Sequence, residues 1–158
     1  MPMLRTILGL VPLLALAIHP VHADQASAYA EFQRQALGNQ REAAVRANLD
    51  LTPKEAEAFW PLYREYHAER EKLGDRTYQL IREYADAYNN NRVTDEQGNR
   101  WVSESLELEQ ARARLKQRYM QKFAGVLPGR KFARYYQIES KLDNLINAKL
   151  SAEIPLVE

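Results

Sequence analysis

Apolar residues recur every three or four positions along most of the chain after residue 50. This spacing is typical of helices that pack along a coiled-coil seam, and it is unlike the alternation of a β-strand. No stretch of alternating residues is long enough to predict a strand, so the sequence predicts an all-α fold. The repeated positions are Phe59, Tyr63, Tyr66, Leu73, Leu80, Tyr84 and Ala87, then Trp101, Leu108, Leu115, Tyr119 and Val126, and finally Phe132, Tyr135, Leu142 and Ile146.

Two capping boxes predict where the long helices begin. Thr52 stands three residues before Glu55, with Pro53 at the first helical position, and Thr94 stands three residues before Gln97. We expect helices from residue 53 to about 88, from residue 95 to 126 and from about residue 130 to 150. The first two have similar lengths and a short connection, so the sequence predicts a long antiparallel helical hairpin with flanking shorter helices.

The N-terminus has the pattern of a secretory signal peptide. Arg5 precedes 12 apolar or small residues at positions 7–18, and Ala23 ends a small-residue cleavage site. Twelve helical residues reach about 18 Å, which is too short for the ~30 Å core of a bilayer, so a spanning anchor is the weaker interpretation. We expect a signal peptide at 1–23, an N-terminal arm and short helix at 24–48, a helical-hairpin domain at 49–150 and a C-terminal tail at 151–158.

The amino-acid composition excludes several kinds of site and partner. The 158 residues include no Cys, and 22 basic residues nearly balance 21 acidic ones. The absence of Cys excludes disulfides, thiolate metal sites and a thiol nucleophile. The balanced charge and the export signal argue against a nucleic-acid partner. An exported protein without a spanning segment is expected in the periplasm, with no stable membrane insertion.

Two stretches resemble the Spy/CpxP-like family of periplasmic proteins, which is named after its LTxxQ motif. The first is Leu51-Thr52-Pro53-Lys54-Glu55 followed by Phe59-Trp60-Pro61-Leu62-Tyr63, with Glu55 where the motif has Gln. The second is Leu127-Pro128-Gly129-Arg130-Lys131 followed by Ala133-Arg134-Tyr135-Tyr136-Gln137-Ile138-Glu139. The resemblance implies a small helical protein that dimerises into a curved cradle. It also implies an ATP-independent chaperone, a brake on an envelope-stress sensor or a metal-responsive sensor.

Catalytic and metal-binding patterns are sparse. After the signal peptide the only histidine is His67, and no Gly-x-Ser-x-Gly turn accompanies it. His67 and Glu71 are four residues apart, with Tyr63 one turn earlier, but zinc requires three or four ligands. A histidine beside a carboxylate is the simpler interpretation, unless a dimer completes the site. We expect no enzyme activity and no cofactor or metal.

Two features are candidates for protein binding. The aromatic run consists of Phe59, Trp60, Tyr63 and Tyr66; most such residues form core, but the first two point about 100° apart and are difficult to bury together. The basic stretch, residues 110–138, holds eight cations and no acid, after five acids and one Arg in residues 95–109. The helix dipole and pairing with acids such as Glu65 and Glu69 are alternative explanations for this charge. The predicted binding residues are Phe59, Trp60, Tyr63, Tyr66, Arg112, Arg114 and Arg118.

These observations lead to one functional expectation and one alternative. The first is an exported, non-enzymatic helical protein that binds unfolded or envelope proteins, chaperone-like or as a stress adaptor, and forms a homodimer. The alternative is a periplasmic metal- or stress-signal sensor that acts on a membrane-bound regulator.

Overall fold

The computed structural model describes residues 40–157, and the helical prediction is confirmed over this part of the chain. Four helices follow one another without a strand among the described residues. Helix α1 includes residues 40–48, α2 spans Pro53–Asn89, α3 spans Asp95–Val126 and α4 spans Gly129–Glu153. The predicted signal peptide at 1–23 and the arm before residue 40 lie outside the described residues.

Both predicted capping boxes are present. The Glu55 backbone N–H donates to the Thr52 hydroxyl at 3.4 Å, while the Thr52 N–H donates to the Glu55 carboxylate at 2.7 Å. The corresponding distances at Thr94 and Gln97 are 3.2 and 3.0 Å. Each box satisfies two N–H groups that have no partner within the helix, and this fixes the first residue of α2 and of α3.

Helices α2 and α3 contact each other along their length, in opposite chain order. Glu65, near the start of α2, accepts a hydrogen bond from Tyr119, near the end of α3, at 2.8 Å. At the other end, Arg100 of α3 donates to Glu83 of α2 at 2.8 Å. Two apolar clusters lie along this contact. The larger one includes Phe59, Tyr63, Tyr66, Leu115, Tyr119, Met120 and Phe123, and the smaller one Leu80, Ala87, Trp101 and Leu108.

Helix α4 extends beyond its predicted end. The sequence predicted an end near Leu150 and a tail at 151–158, whereas α4 continues to Glu153. Nothing in Ser151-Ala152-Glu153 disfavours a helix, and the first obstacle is Pro155, which restricts the backbone of Ile154 to extended conformations. The short tail contacts α2, because the Tyr84 hydroxyl donates to the Pro155 carbonyl at 2.7 Å.

Helices α2 and α4 are joined by long side chains and not by close backbone packing. Their Cα atoms stay more than 8 Å apart. Lys131 of α4 donates to Glu55 of α2 at 2.6 Å, and Arg70 of α2 donates to Asp143 of α4 at 2.8 Å. Charged groups therefore join α4 to α2 together with the contact between the rings of Phe59 and Tyr135, whose centroids are 5.0 Å apart.

Candidate functional site

The aromatic run forms core in the described chain. Phe59, Tyr63 and Tyr66 are 0%, 3% and 1% exposed. The Phe59 ring centroid lies 5.2 Å from Phe123 of α3 and 5.0 Å from Tyr135 of α4. The three rings therefore stabilise the contact of α2 with α3 and α4, and in this arrangement they present no surface to a partner.

Trp60 is half-buried and is covered by a cation. Its ring contacts Phe59 in a T-shaped arrangement with centroids 5.0 Å apart, and the Arg46 guanidinium of α1 lies 3.6 Å from the ring centroid. Of these two adjacent aromatic residues, Phe59 is therefore part of the core. The ring of Trp60 is covered by the guanidinium of Arg46, which belongs to α1.

Acids of α2 pair with much of the basic stretch. Arg118 pairs with Glu69, and Lys122 lies 3.2 Å from Glu65. Lys131 pairs with Glu55 at 2.6 Å. This is the cross-helix pairing considered from the sequence, and exposed pairs of this kind contribute little to stability. Glu69 therefore partly neutralises the charge of Arg118.

Arg112 and Arg114 have no carboxylate within salt-bridge distance among the described residues. Arg112 donates to the hydroxyl of Thr77 at 2.7 Å, and Arg114 donates to the side-chain carbonyl of Gln110 at 3.4 Å. Both partners are neutral. No carboxylate at salt-bridge distance therefore neutralises either of these two predicted binding residues within the described part of the chain.

An open apolar groove lies between α3 and α4. It has a volume of about 510 Å³, and Tyr136 is 48% exposed on its α4 side. The Lys116 ammonium lies 5.0 Å from the Tyr136 ring centroid. The sequence analysis did not identify this groove, although helical spacing on α3 and the pair Phe132–Tyr136 on α4 would have indicated it. The apolar side chains that line it are Ala113, Met120, Ala124, Phe132 and Tyr136.

A buried charge cluster joins α1, α2, α3 and α4, and the sequence analysis missed it. Glu139 is fully buried, yet it accepts hydrogen bonds from Arg41 at 2.6 Å and from Arg70 at 3.1 Å. Asp143 accepts from the same two arginines at 2.9 and 2.8 Å, and lies 3.3 Å from the Lys116 ammonium. The charge cluster comprises these five residues.

The two acids of the charge cluster stay ionised despite their burial. Burial alone raises the pKa of a carboxyl group. Contact with His67 and the charges of Arg41 and Arg70 instead hold the pKa of Glu139 below its ordinary value. Arg70, Arg41 and Lys116 lower the pKa of Asp143 to about 2.

His67 lies against the charge cluster. Its Nε2 atom is 3.6 Å from the Glu139 Oε1 atom, and its ring centroid is 4.0 Å from that of Tyr63. Burial lowers the pKa of His67, although contact with Glu139 opposes this shift. The sequence indicated Glu71 as the carboxylate neighbour of His67, whereas the carboxylate that lies against its Nε2 atom is Glu139 of α4. Among the described residues, no group of three or more His, Cys, Asp or Glu side chains is arranged to hold a metal ion.

Comparison with protein-family models, curated proteins and solved structures finds no match to this chain. Over residues 40–157, no helix combines the length and apolar character that a membrane span requires.

Proposed function

We propose that the chain is an exported, non-enzymatic protein-binding protein, chaperone-like or an envelope-stress adaptor, with a helical hairpin similar to that of the Spy/CpxP-like family. Its partners are apolar segments of unfolded or envelope proteins. The observation that carries this proposal is the α3–α4 groove, because an open apolar surface bordered by cations is suited to such segments.

The position of the binding surface differs from the one expected from the sequence. The rings of Phe59, Tyr63 and Tyr66 are enclosed, whereas Tyr136 and Phe132 line an open surface. Burial of apolar client side chains against these rings supplies affinity at about 25 cal/mol per Å². A groove this open buries only part of a client segment, so weak and reversible binding is the expected result.

The cations near the groove add selectivity for acidic segments. On a helix of 3.6 residues per turn, Arg114 lies about 100° from Ala113, at the edge of the groove away from α4. It has no carboxylate partner among the described residues. Its charge mainly accelerates encounter with acidic clients and makes binding depend on salt concentration.

The proposal is tested by suppression of aggregation of a urea-diluted client, without added metal, at low and high salt. The Tyr136→Ser variant should protect less well at both salt concentrations, because it removes apolar surface from the groove. The Arg114→Glu variant should protect less well mainly at low salt. Omitting metal separates this function from metal-dependent sensing.

Matched controls are available on surfaces far from the groove. Leu156 is 86% exposed in the tail, and Arg92 is exposed in the turn between α2 and α3. Leu156→Ser and Arg92→Glu make comparable changes in polarity and charge, and both should protect as well as the wild type. A wild type that gives no protection would refute the proposal, as would groove variants that match their controls.

A further inference from the structure

The α3–α4 groove has an apolar end and a charged end. Met120 and Ala124 of α3 and Phe132 of α4 line the part nearer the connection between the two helices, and Lys116 lines the part farther from it. The Lys116 ammonium lies 5.0 Å from the ring centroid of Tyr136, which also lines the groove. Among the described residues that line the groove, none is acidic. A segment bound along the groove therefore contacts both apolar surface and a cation.

The charge of Lys116 is compensated only in part within the charge cluster. The cluster contains three cations, Arg41, Arg70 and Lys116, and two carboxylates, Glu139 and Asp143. Both carboxylates have lowered pKa values and stay ionised. The cluster therefore has one cation more than it has carboxylates, and an additional carboxylate would balance its charge.

Of the three cations, Lys116 is the one that is placed to pair with a carboxylate from outside. Arg41 and Arg70 each bind both carboxylates of the cluster, and they donate to Asp143 at 2.9 and 2.8 Å. The Lys116 ammonium lies 3.3 Å from Asp143. If this ammonium moves to another carboxylate, Asp143 keeps two guanidinium partners. Lys116 also lines the groove, so a bound segment contacts it directly.

The spacing along α3 sets the distance between the charged and the apolar contacts of a client segment. Lys116 and Met120 are four residues apart, which is about 6 Å along a helix. In an extended chain, residues two positions apart point to the same side and are roughly 6.6 Å apart. An extended segment with an acidic residue two positions from an aromatic or large aliphatic residue therefore matches the groove. Adjacent residues point to opposite sides and do not match it.

We propose that Lys116 anchors a client carboxylate, and that the groove selects extended segments in which an acidic residue stands two positions from an aromatic or large aliphatic residue. This inference rests on the proposed function, because it specifies which segments the groove binds. It differs from the contribution of Arg114, whose charge accelerates encounter from the edge of the groove. Lys116 pairs with the carboxylate in the bound state, and it therefore discriminates between bound segments.

The experiment titrates the full chain with short blocked peptides in a Gly–Ser background and follows the Met120 methyl resonance by nuclear magnetic resonance. Met120 lines the groove, and the other two methionines of the sequence are Met1 and Met3. The three peptides contain Glu-Ser-Phe, Gln-Ser-Phe or Glu-Phe-Ser. The first should bind up to about fivefold more tightly than the second, which is the range of an exposed ion pair. The third should lose most of this advantage, and added salt should reduce it.

Two lysine variants identify the anchor. Lys116→Met removes the ammonium and keeps an unbranched apolar side chain, so the preference for Glu over Gln should disappear. Lys122→Met is the matched control, because Lys122 lies 3.2 Å from Glu65 and its ammonium is 4.4 Å from the ring centroid of Tyr119. Lys122 lies about 200° around α3 from Met120, on the side away from the groove. This variant should keep the preference of the wild type.

The peptide series on the wild type decides the question even if Lys116→Met fails to fold, which circular dichroism would show. Equal binding of the Glu-Ser-Phe and Gln-Ser-Phe peptides to the wild type would overturn the proposal. So would a folded Lys116→Met chain with an undiminished preference for Glu, or a Lys122→Met chain that loses the preference to the same extent.

Client protection measured in parallel distinguishes this inference from the proposed function. Protection of a urea-diluted client by a wild type that does not prefer the Glu-Ser-Phe peptide refutes the anchor and leaves the proposed function standing. Selective binding of the Glu-Ser-Phe peptide without client protection refutes the proposed function and leaves the carboxylate anchor standing. The absence of both peptide preference and client protection refutes both.

Discussion

Glu139 shows how a single residue can determine an arrangement of helices. A carboxylate without solvent exposure loses its hydration, and this loss is tolerated only when hydrogen-bonded cations replace it. Two guanidinium groups provide this replacement, Arg41 at 2.6 Å and Arg70 at 3.1 Å. Because the two arginines come from different helices, the same contacts that keep Glu139 ionised hold α1 and α2 against α4.

Replacing Glu139 with Gln should destabilise the fold by about 3–5 kcal/mol, because it leaves two arginines facing a neutral amide in a desolvated site. Urea denaturation monitored by circular dichroism measures the change. Glu83→Gln provides the matched control, since Glu83 pairs with Arg100 at 2.8 Å on the exposed surface. The Glu83→Gln variant should lose much less unfolding free energy than Glu139→Gln. Equal losses for the two variants would mean that the charge cluster has no special structural role.

At the scale of helices, capping residues and apolar spacing predicted where the helices begin and which of their residues are buried, because both depend mainly on neighbouring residues. The capping boxes at Thr52 and Thr94 predicted the first residues of α2 and α3. The three-to-four spacing placed the buried residues of each helix on one face, namely Phe59, Tyr63 and Tyr66 on α2, and Leu115 and Tyr119 on α3. Phe123 was missed, although it continues that face four residues after Tyr119 and is fully buried. The spacing of apolar residues therefore predicted the helices and most of the residues that they bury.

Long-range pairing explains what the sequence analysis missed. Glu139 lies between Tyr135 and Leu142 on the apolar face of α4, at the position where an apolar residue is expected, and Arg70 interrupts the seam of α2 in the same way. A polar residue at a seam position can be recognised in the sequence. The sequence does not show which residue it pairs with, because that partner lies 69 positions away in the chain. For the same reason, the sequence did not indicate that α1 and α4 would cover the aromatic run.

The cap of α2 gives a prediction at this scale. Thr52→Ala removes the hydroxyl that accepts the Glu55 N–H and should cost about 1 kcal/mol of unfolding free energy. Thr52→Ser retains the hydroxyl and should cost much less. Both values come from urea denaturation of otherwise identical chains. If serine and alanine lower the midpoint equally, the hydroxyl does not act as the cap.

At the scale of the whole described molecule, helix α3 carries two exposed apolar patches on one of its sides. On α3, Val102 and Leu106 are 62% and 53% exposed, and they lie on the same side of the helix as Ala113 and Met120 in the groove. Leu106 and Met120 are separated by roughly 21 Å along the helix axis. This distance allows the two parts to have different partners. Under the proposed function the groove binds client segments, and we expect the pair Val102 and Leu106 to contact a second copy of the chain.

The final prediction concerns self-association through this second part. An isologous contact is the commonest way for a chain to bury an exposed apolar strip, because each copy supplies the same surface to the other. We expect a symmetric dimer at tens of micromolar, measured by light scattering. Leu106→Glu should convert it to a monomer of unchanged helicity, whereas Leu156→Glu, at a site 86% exposed in the tail, should leave it dimeric. A monomeric wild type would exclude the dimer, and a dimeric Leu106→Glu variant would place its interface elsewhere on the molecule.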